Sequence, residues 1–250
     1  MNKVTALRLG TCVALFVLLE VLCRAGVITP FAMIPPTEMI TALWALLASG
    51  KFNGQIMLTL ATVVAAAAAA IAGGFAIAIV LHAWPRARRA VDPYLASIYA
   101  VPLFIFYPTF IMVFGLNRMP VVLIAFLKAA VVVIIATLDG LDRVPRIQRK
   151  VALVMKTGRW DTVFNVILPS AFPYFLTGGK FAIAYSFLGV LGSEFILANG
   201  GIGYEISFAF GDFDNKTMYA LILLVLIIVS IANAVLFAWE RSVLRRRGMA

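Results

Sequence analysis

Six apolar runs, each close to the roughly 20 residues needed to cross the hydrocarbon core of a bilayer, divide this chain of 250 residues. Hydrophobic residues make up 63% of the sequence and charged residues only 13%, whereas a soluble domain carries about a quarter charged residues. The chain is therefore predicted to be an all-α membrane protein with six transmembrane helices, forming one domain over residues 1–250. The predicted spans are 5–23, 58–81, 95–116, 120–138, 176–197 and 217–238.

The basic residues, which give the chain a formal net charge of +10, are divided unequally between the two sides of these spans. With an even number of spans both termini share one side, and that side carries fifteen basic residues against four on the other. The positive-inside rule makes the richer side the cytoplasm, so both termini are predicted to be cytoplasmic and the charge argues for topology rather than for nucleic acid. The fifteen are Lys3, Arg8, Arg86, Arg88, Arg89, Arg143, Arg146, Arg149, Lys150, Lys156, Arg159, Arg241, Arg245, Arg246 and Arg247, and the four are Arg24, Lys51, Arg118 and Lys216.

The second span contains a run of small residues, VVAAAAAAIAGG at 63–74. Ala65, Ala69 and Gly73 fall four residues apart on one helical face, and small residues at that spacing let two helices approach closely. This face is predicted to be a packing seam, either within the bundle or between subunits.

One predicted cytoplasmic loop is long, about residues 139–175. Pro145 is suited to the first position of a short helix, which Thr157 and Gly158 would end. A second short helix would follow, which Pro169 and Pro173 would stop. Its predicted apolar face consists of Trp160, Val163, Phe164 and Ile167. An amphipathic pair of this kind is typical of an element lying in the lipid headgroups and equally of a docking surface for a soluble partner, and periodicity alone leaves both open.

The same loop carries a family resemblance. The segment KVALVMKTGRWDTVFNVILPSAFPYFLTGGKFAIA resembles the conserved cytoplasmic loop of permease subunits of binding-protein-dependent ABC importers, in the branch that transports nitrate, sulfonates and taurine. In that branch the loop has the form E-A-A-x-x-x-G-A-S-x-W, then an apolar stretch ending in L-P-x-A-x-P, then G-L-R. Matching or nearly matching positions are Ala152, Gly158, Arg159, Trp160, Leu168, Pro169, Ala171, Pro173, Gly178 and Lys180.

Further ordered motifs extend the resemblance over about residues 30–240. They are MIPPTEM at 33–39, DPYLASIYAVPLFIFYPTFIMVFGL at 92–116 and GSEFILANGGIGYEI at 192–206. The resemblance implies the fold of a type I ABC importer permease with a cytoplasmic coupling helix, in the inner membrane of a bacterium. It also implies three kinds of partner: a second permease copy, identical or different, two ABC ATPase subunits and a periplasmic solute-binding protein.

What the resemblance implies for the loop is contact with the ATPase. The implied coupling residues are Lys150, Ala152, Lys156, Gly158, Arg159, Trp160, Val163, Phe164 and Ile167. Two of them depart from the family pattern, because Lys150 stands where the pattern has Glu and Lys156 where it has its first Gly. The change from Glu to Lys at position 150 reverses the sign of any contact with the ATPase, and a lysine at position 156 does not easily adopt the positive φ that a glycine adopts. The two departures predict either coupling to a divergent ATPase or a chain that is the weaker half of a heteromeric pair.

Ionisable and aromatic residues within the spans are candidates for the translocation path. Lys128 lies near the middle of the fourth span, where an ionisable group usually faces protein or water and has a function. It is predicted to favour an anionic substrate in the path or to form a structural ion pair. Glu194 is its candidate partner or a gate residue, and Phe104 and Tyr107 belong to a span whose family counterpart lines the path.

The sequence also argues against several functions. It contains no G-x-x-x-x-G-K-[ST] phosphate loop, so ATP and Mg are expected to bind to the partner ATPase, and no cofactor or metal is expected in this chain. The predicted function is the membrane-spanning subunit of an ATP-driven importer for a small solute, either anionic like a sulfonate or nitrate, or heterocyclic. The alternative is an ion-coupled secondary transporter or channel, although such carriers often contain two similar halves and no repeat is visible in this chain.

Overall fold

The computed structural model describes residues 3–197 and 199–246, and within those ranges every regular element is a helix. The helices are α1 (Lys3–Arg24), α2 (Pro36–Ser49), α3 (Asn53–Ala83), α4 (Pro85–Ala100), α5 (Tyr107–Phe114), α6 (Met119–Asp142), α7 (Arg146–Val154), α8 (Arg159–Thr162), α9 (Leu168–Leu197), α10 (Ile202–Gly211) and α11 (Asn215–Arg246). A 3₁₀ turn, Leu103–Phe106, precedes α5, and a π-helical turn, Val163–Ile167, precedes α9. We call the end of the bundle that carries α2 and α10 the outer end, and the end that carries α7 and α8 the inner end.

Helix α6 is at the centre of the bundle and packs against both α3 and α9, which also contact each other. Small residues bring the three backbones close together. A Cβ atom added at Gly74 of α3 would lie 2.8 Å from the Cβ of Val133, and one added at Gly189 of α9 would lie 2.7 Å from the Cα of Ala125. Approach this close is typical of membrane helices that associate through small residues.

The packing seam on α3 follows the predicted spacing but uses a different face. Ala65 and Ala69 are exposed, and the buried face lies one residue further along the helix. The predicted seam is therefore wrong within the bundle, because a run made only of small residues does not specify which of its faces is buried. The buried positions are Ala66, Ala70 and Gly74.

The predicted third span, 95–116, is wrong as a single helix. The chain forms α4 and α5 instead, with an 87° bend between α4 and the stretch Leu103–Phe114. The break lies at Pro102, which has no N–H to continue the helical hydrogen bonds and disfavours a helical conformation at Val101. Hydropathy continues unbroken through this position, which is why the apolar run alone predicted one helix.

Among residues 3–197 and 199–246, four helices are long and apolar enough to cross a membrane, or five if the bent pair is counted as one span. They include the predicted spans 58–81, 120–138, 176–197 and 217–238. Residues 5–23 do form a helix, α1, but it is not among those that meet this test. Six spans therefore remain a prediction.

The inner loop is shorter than predicted at both ends, since α6 continues to Asp142 and α9 begins at Leu168. Pro169 and Pro173 do not stop a helix, which corrects the prediction for both. Pro169 follows directly on the π-helical turn Val163–Ile167, which continues into α9, so it lies inside a continuous helical stretch. Pro173 is accommodated inside the helix. We call residues 143–167 the coupling segment.

At the outer end, α2 and α10 pack against α11. Helix α2 has Pro36 at its first position and Gly50 in the left-handed conformation at its C-terminus. These two short helices and their loops cover the outer ends of α3, α9 and α11.

Candidate functional site

The coupling segment begins with a short helix that ends in a left-handed turn. The N–H of Thr157 donates to the carbonyl oxygen of Ala152 (3.1 Å), and the residue between Met155 and Thr157, Lys156, has a φ of 52°. This 6→1 bond around a left-handed residue is the Schellman pattern that normally favours glycine at that position. Lys156 therefore adopts the conformation that the family pattern assigns to glycine, and the expectation that a lysine would alter the turn is wrong for the backbone.

Two hydroxyls fix the turn to the next helix. The hydroxyl of Thr157 donates to the carbonyl of Ala152 (2.9 Å) and lies 2.9 Å from the hydroxyl of Thr162. Thr162 also bonds to the carbonyl of Gly158 through its own hydroxyl (3.0 Å). The corner between α7 and α8 is consequently held by local side-chain bonds and not by burial.

The apolar surface of the coupling segment points away from the bundle. Val154 and Phe164 are 83% and 60% exposed, whereas Ala152 is buried against the protein. Lys150, Lys156 and Gly158 are exposed. Exposed apolar residues next to basic ones mark a surface built for contact with another molecule. The other exposed apolar residues of this surface are Ile147, Val151 and Met155.

The predicted apolar face of the second short helix is only partly correct. Val163 is half-buried, and Ile167 packs inward against the cluster around Val144 and Phe175. Ile167 therefore anchors the segment and is not part of its outward surface, since the π-helical turn rotates it towards the bundle. The side chains of Arg159 and Trp160 lie outside the described residues.

Lys128 lies at the break between α4 and α5. Its ammonium donates to the carbonyl oxygens of Tyr99 and of Val101, the latter at 3.0 Å, and it is 8% exposed. The rings of Tyr99 and Tyr185 lie 5.5 and 6.0 Å from the nitrogen. These carbonyls belong to the end of α4, where Pro102 supplies no N–H, so the lysine satisfies acceptors that the break leaves open.

Beside Lys128 is a cavity of about 180 Å³. Its walls come from the break, from α6 and from α9, and include Phe104, Ile124 and Gly189. Irregular backbone at membrane depth is tolerated where it is buried in protein or lines a cavity, and here Pro102 and Leu103 of the break line the cavity. The cavity thus brings together Lys128 and Phe104, two of the residues predicted to line the translocation path.

Glu194 lies elsewhere and does not pair with Lys128. Its carboxylate accepts from the hydroxyl of Thr59 (2.8 Å), from Arg118 Nη1 (2.9 Å) and from the N–H of Gly203 (3.1 Å). The side chain is fully buried. The predicted partnership of Glu194 with Lys128 is therefore wrong, because Arg118 at the outer end of α6 supplies the positive charge.

The glycines after α9 fit closely over this carboxylate. Gly201 has a φ of 100°, and a Cβ there would lie 2.0 Å from Glu194 Oε1. Its N–H donates to Gln55 Oε1 (2.6 Å), and the N–H of Ile202 donates to the hydroxyl of Thr59 (2.8 Å). The carboxylate and its neighbours thereby satisfy the first N–H groups of α10.

Tyr107 was predicted to line the path, but it is 2% exposed and packs in the core cluster with Val63 and Val121. That position gives Tyr107 a packing role.

Sequence reasoning missed Arg118 and Tyr185, whose importance comes from contacts with residues far away in the chain. No group of three or more His, Cys, Asp or Glu side chains that could hold a metal ion occurs among the described residues.

Comparison with known proteins agrees with this architecture. The family described as "Binding-protein-dependent transport system inner membrane component" matches residues 70–248. The chain belongs to this family. It is a transport permease, which confirms the resemblance deduced from the inner loop.

Individual relatives support the same branch. This permease is 27% identical to the nitrate import permease protein NrtB of Leptolyngbya laminosa, over 90% of this chain and 83% of the relative. It is 24% identical to the putative aliphatic sulfonates transport permease protein SsuC of Bacillus subtilis (strain 168), over 91% of this chain and 83% of the relative.

A solved structure confirms the fold. A chain of the MetNI methionine ABC transporter, crystallised in inward-facing conformations, superimposes with a TM-score of 0.65 at 18% identity. The match covers 77% of this permease and 95% of that chain. The permease therefore has the helical arrangement of a type I ABC importer permease.

Proposed function

We propose that this permease forms half of the translocation pathway of an ATP-driven importer in a bacterial inner membrane. A second permease copy would complete the pathway, two ATPase subunits would bind at the inner end, and a periplasmic solute-binding protein would dock at the outer end. The chain itself binds no cofactor, since ATP and Mg belong to the ATPase. Six spans would leave both termini in the cytoplasm, in keeping with the distribution of basic residues.

The observation that carries the proposal is the outward surface of the coupling segment. It combines exposed apolar side chains with exposed lysines, and its base is anchored to the bundle by Ile167. A second anchor joins the segment to α9, where the hydroxyl of Ser170 donates to Gln148 Oε1 (2.8 Å). A segment anchored in this way can transmit a rigid-body movement of the ATPase to α6 and α9.

The proposed cargo is a small solute, anionic like a sulfonate or nitrate, or heterocyclic. The nitrate and sulfonate relatives support an anion, as does the buried ammonium of Lys128 beside a cavity. Lys128 and Phe104 are the path residues that this proposal retains, and Glu194 holds the outer end together.

The test is co-purification of the tagged permease with its ATPase from native membranes in mild detergent. A P-loop ATPase in stoichiometric amount is the expected result. Val154→Asp should reduce the recovered ATPase at least tenfold, because it puts a charge into an apolar contact, whereas Val154→Ile should recover as much as the wild type. If no ATPase is recovered with the wild-type chain in several detergents, the ion-coupled carrier replaces the importer as the proposed function.

A further inference from the structure

Two lysines lie within the predicted spans 120–138 and 176–197, and their surroundings differ. Lys180 Nζ of α9 lies 2.6 Å from Glu240 Oε2 of α11, so its charge is neutralised by a carboxylate. Lys128 has no carboxylate within ion-pair distance among the residues 3–197 and 199–246 that the structure describes. A buried cation without a counter-ion is costly unless other groups compensate for its lost hydration.

The groups that surround Lys128 compensate for that loss only in part. An ammonium has three N–H donors, and the carbonyls of Tyr99 and Val101 accept two hydrogen bonds. The rings of Tyr99 and Tyr185 contribute the attraction of a cation to a π face. Carbonyls and rings carry partial charges only, so one full positive charge and one N–H donor remain for a further partner.

The cavity beside the ammonium has the size for such a partner. Its volume of about 180 Å³ is well above the roughly 10–15 Å³ that one water needs and below the roughly 300 Å³ at which pockets for drug-sized ligands begin. Apart from Lys128, its lining is made of apolar residues and glycine. The cavity therefore suits a small solute with one anionic group that reaches the ammonium.

We propose that the cavity at the α4–α5 break is a binding site for a small organic oxyanion, such as an alkyl sulfonate, with Lys128 as its charged ligand. The proposal rests on the proposed transport function for its biological meaning. In this site Lys128 has two roles: its ammonium donates hydrogen bonds to the carbonyls of the break, and it contacts the anionic group of the cargo. Binding would then favour the bent arrangement of α4 and α5, because both depend on the same ammonium.

The experiment measures thermal unfolding of the purified full-length permease in detergent, without ATPase or binding protein. The probe is potassium methanesulfonate, titrated against potassium gluconate at constant ionic strength, because gluconate is an anion with a much larger organic part. A ligand that binds the folded state raises the unfolding midpoint in a saturable way. Methanesulfonate is expected to do so and gluconate is not.

Three variants identify the site. Lys128→Met should weaken the apparent affinity for methanesulfonate tenfold or more, because it removes a charge-assisted hydrogen bond. Ala100→Phe, on the cavity wall, should weaken it as much by filling the space while it leaves the lysine in place. Lys180→Gln is the matched control and should keep the wild-type affinity.

Several results would overturn the site: no response of the wild type, an equal response to gluconate, or an unchanged affinity in Lys128→Met or Ala100→Phe. If Lys128→Met does not fold, Ala100→Phe decides alone. This measurement needs no partner, so its outcome is independent of the co-purification test. If methanesulfonate stabilises the chain but no ATPase is recovered with it, the site is retained and the importer is refuted. If the ATPase is recovered but methanesulfonate has no effect, only the site is refuted.

Discussion

The outer and inner ends of the permease are held together by different physics. At the outer end, buried Glu194 joins α3, α6 and α10 through Thr59, Arg118 and Gly203. At the inner end the double hydrogen bond of Arg88 to Asp142 (2.9 and 2.6 Å) is partly exposed to solvent. Exposed ion pairs stabilise a protein little, whereas breaking a buried one is costly. The difference predicts that losing a single polar contact destabilises the outer end more than the inner end.

The largest expected effect comes from Glu194→Ala. It leaves Arg118 without its carboxylate and Thr59 and Gly203 without their acceptor, which should cost about 3 kcal/mol of unfolding free energy. Denaturant unfolding of the purified permease measures the cost. Glu194→Gln, which keeps the shape and one acceptor oxygen, should lose less than Ala. Equal stability of Glu194→Ala and the wild type would mean that the outer end does not depend on this network.

Lys156→Gly should change stability in the opposite direction. A non-glycine residue in the left-handed conformation costs roughly 1 kcal/mol, so glycine should stabilise the end of α7 by about that amount, less the entropy that glycine adds to the unfolded chain. Protease resistance of the coupling segment is the appropriate measurement because the effect is local. Lys156→Ala is the control, since alanine keeps the strain, and a gain with alanine as large as with glycine would contradict the strain argument.

Arg88→Gln tests the weakness of the inner end. Because Arg88 and Asp142 are both partly exposed, the loss should be no more than about 1 kcal/mol. The same denaturant measurement as for Glu194→Ala allows a direct comparison. A loss as large as that of Glu194→Ala would remove the contrast between the two ends.

The smallest expected effect concerns pH at the outer surface. The carboxylate of Asp214 accepts from the side chain and N–H of Thr217 at the start of α11, and these bonds hold its pKa below the usual value for an aspartate. A lowered pKa in the folded state means that this contribution to stability is present above about pH 4 and is lost as the pH falls through the lowered pKa. The difference in unfolding midpoint between wild type and Asp214→Asn should therefore shrink between neutral pH and about pH 3. A constant difference would show that the charge of Asp214 does not contribute.

The sequence predicted the positions of α3, α6, α9 and α11 because each is an apolar run of spanning length. It failed where proline decided the outcome. Pro102 breaks a helix inside an apolar run, whereas Pro169 and Pro173 are accommodated at and inside the start of α9, and no local pattern separates these cases. The ammonium of Lys128 was visible as a charge in a span, but its acceptors were not.

Long-range partners account for the remaining differences. Glu194 was predicted to lie near Lys128 because both are ionisable residues in apolar runs, yet its counter-ion, Arg118, is 76 positions away. The outward surface of the coupling segment was missed in part because a π-helical turn rotates Ile167 inward. Periodicity assumes 3.6 residues per turn, so a single wider turn changes which residues share a face.

The position of the acceptors of Lys128 in the chain has a consequence for biosynthesis. Tyr99 and Val101 are both made before Lys128, by 29 and 27 positions. A ribosome that feeds the chain into the membrane from its N-terminus delivers the carbonyls of the break first and the lysine afterwards. The hydrogen bonds between the lysine and its acceptors therefore involve only the chain up to α6, and the charge need not wait for α9 and α11 to be inserted before it is hydrogen-bonded.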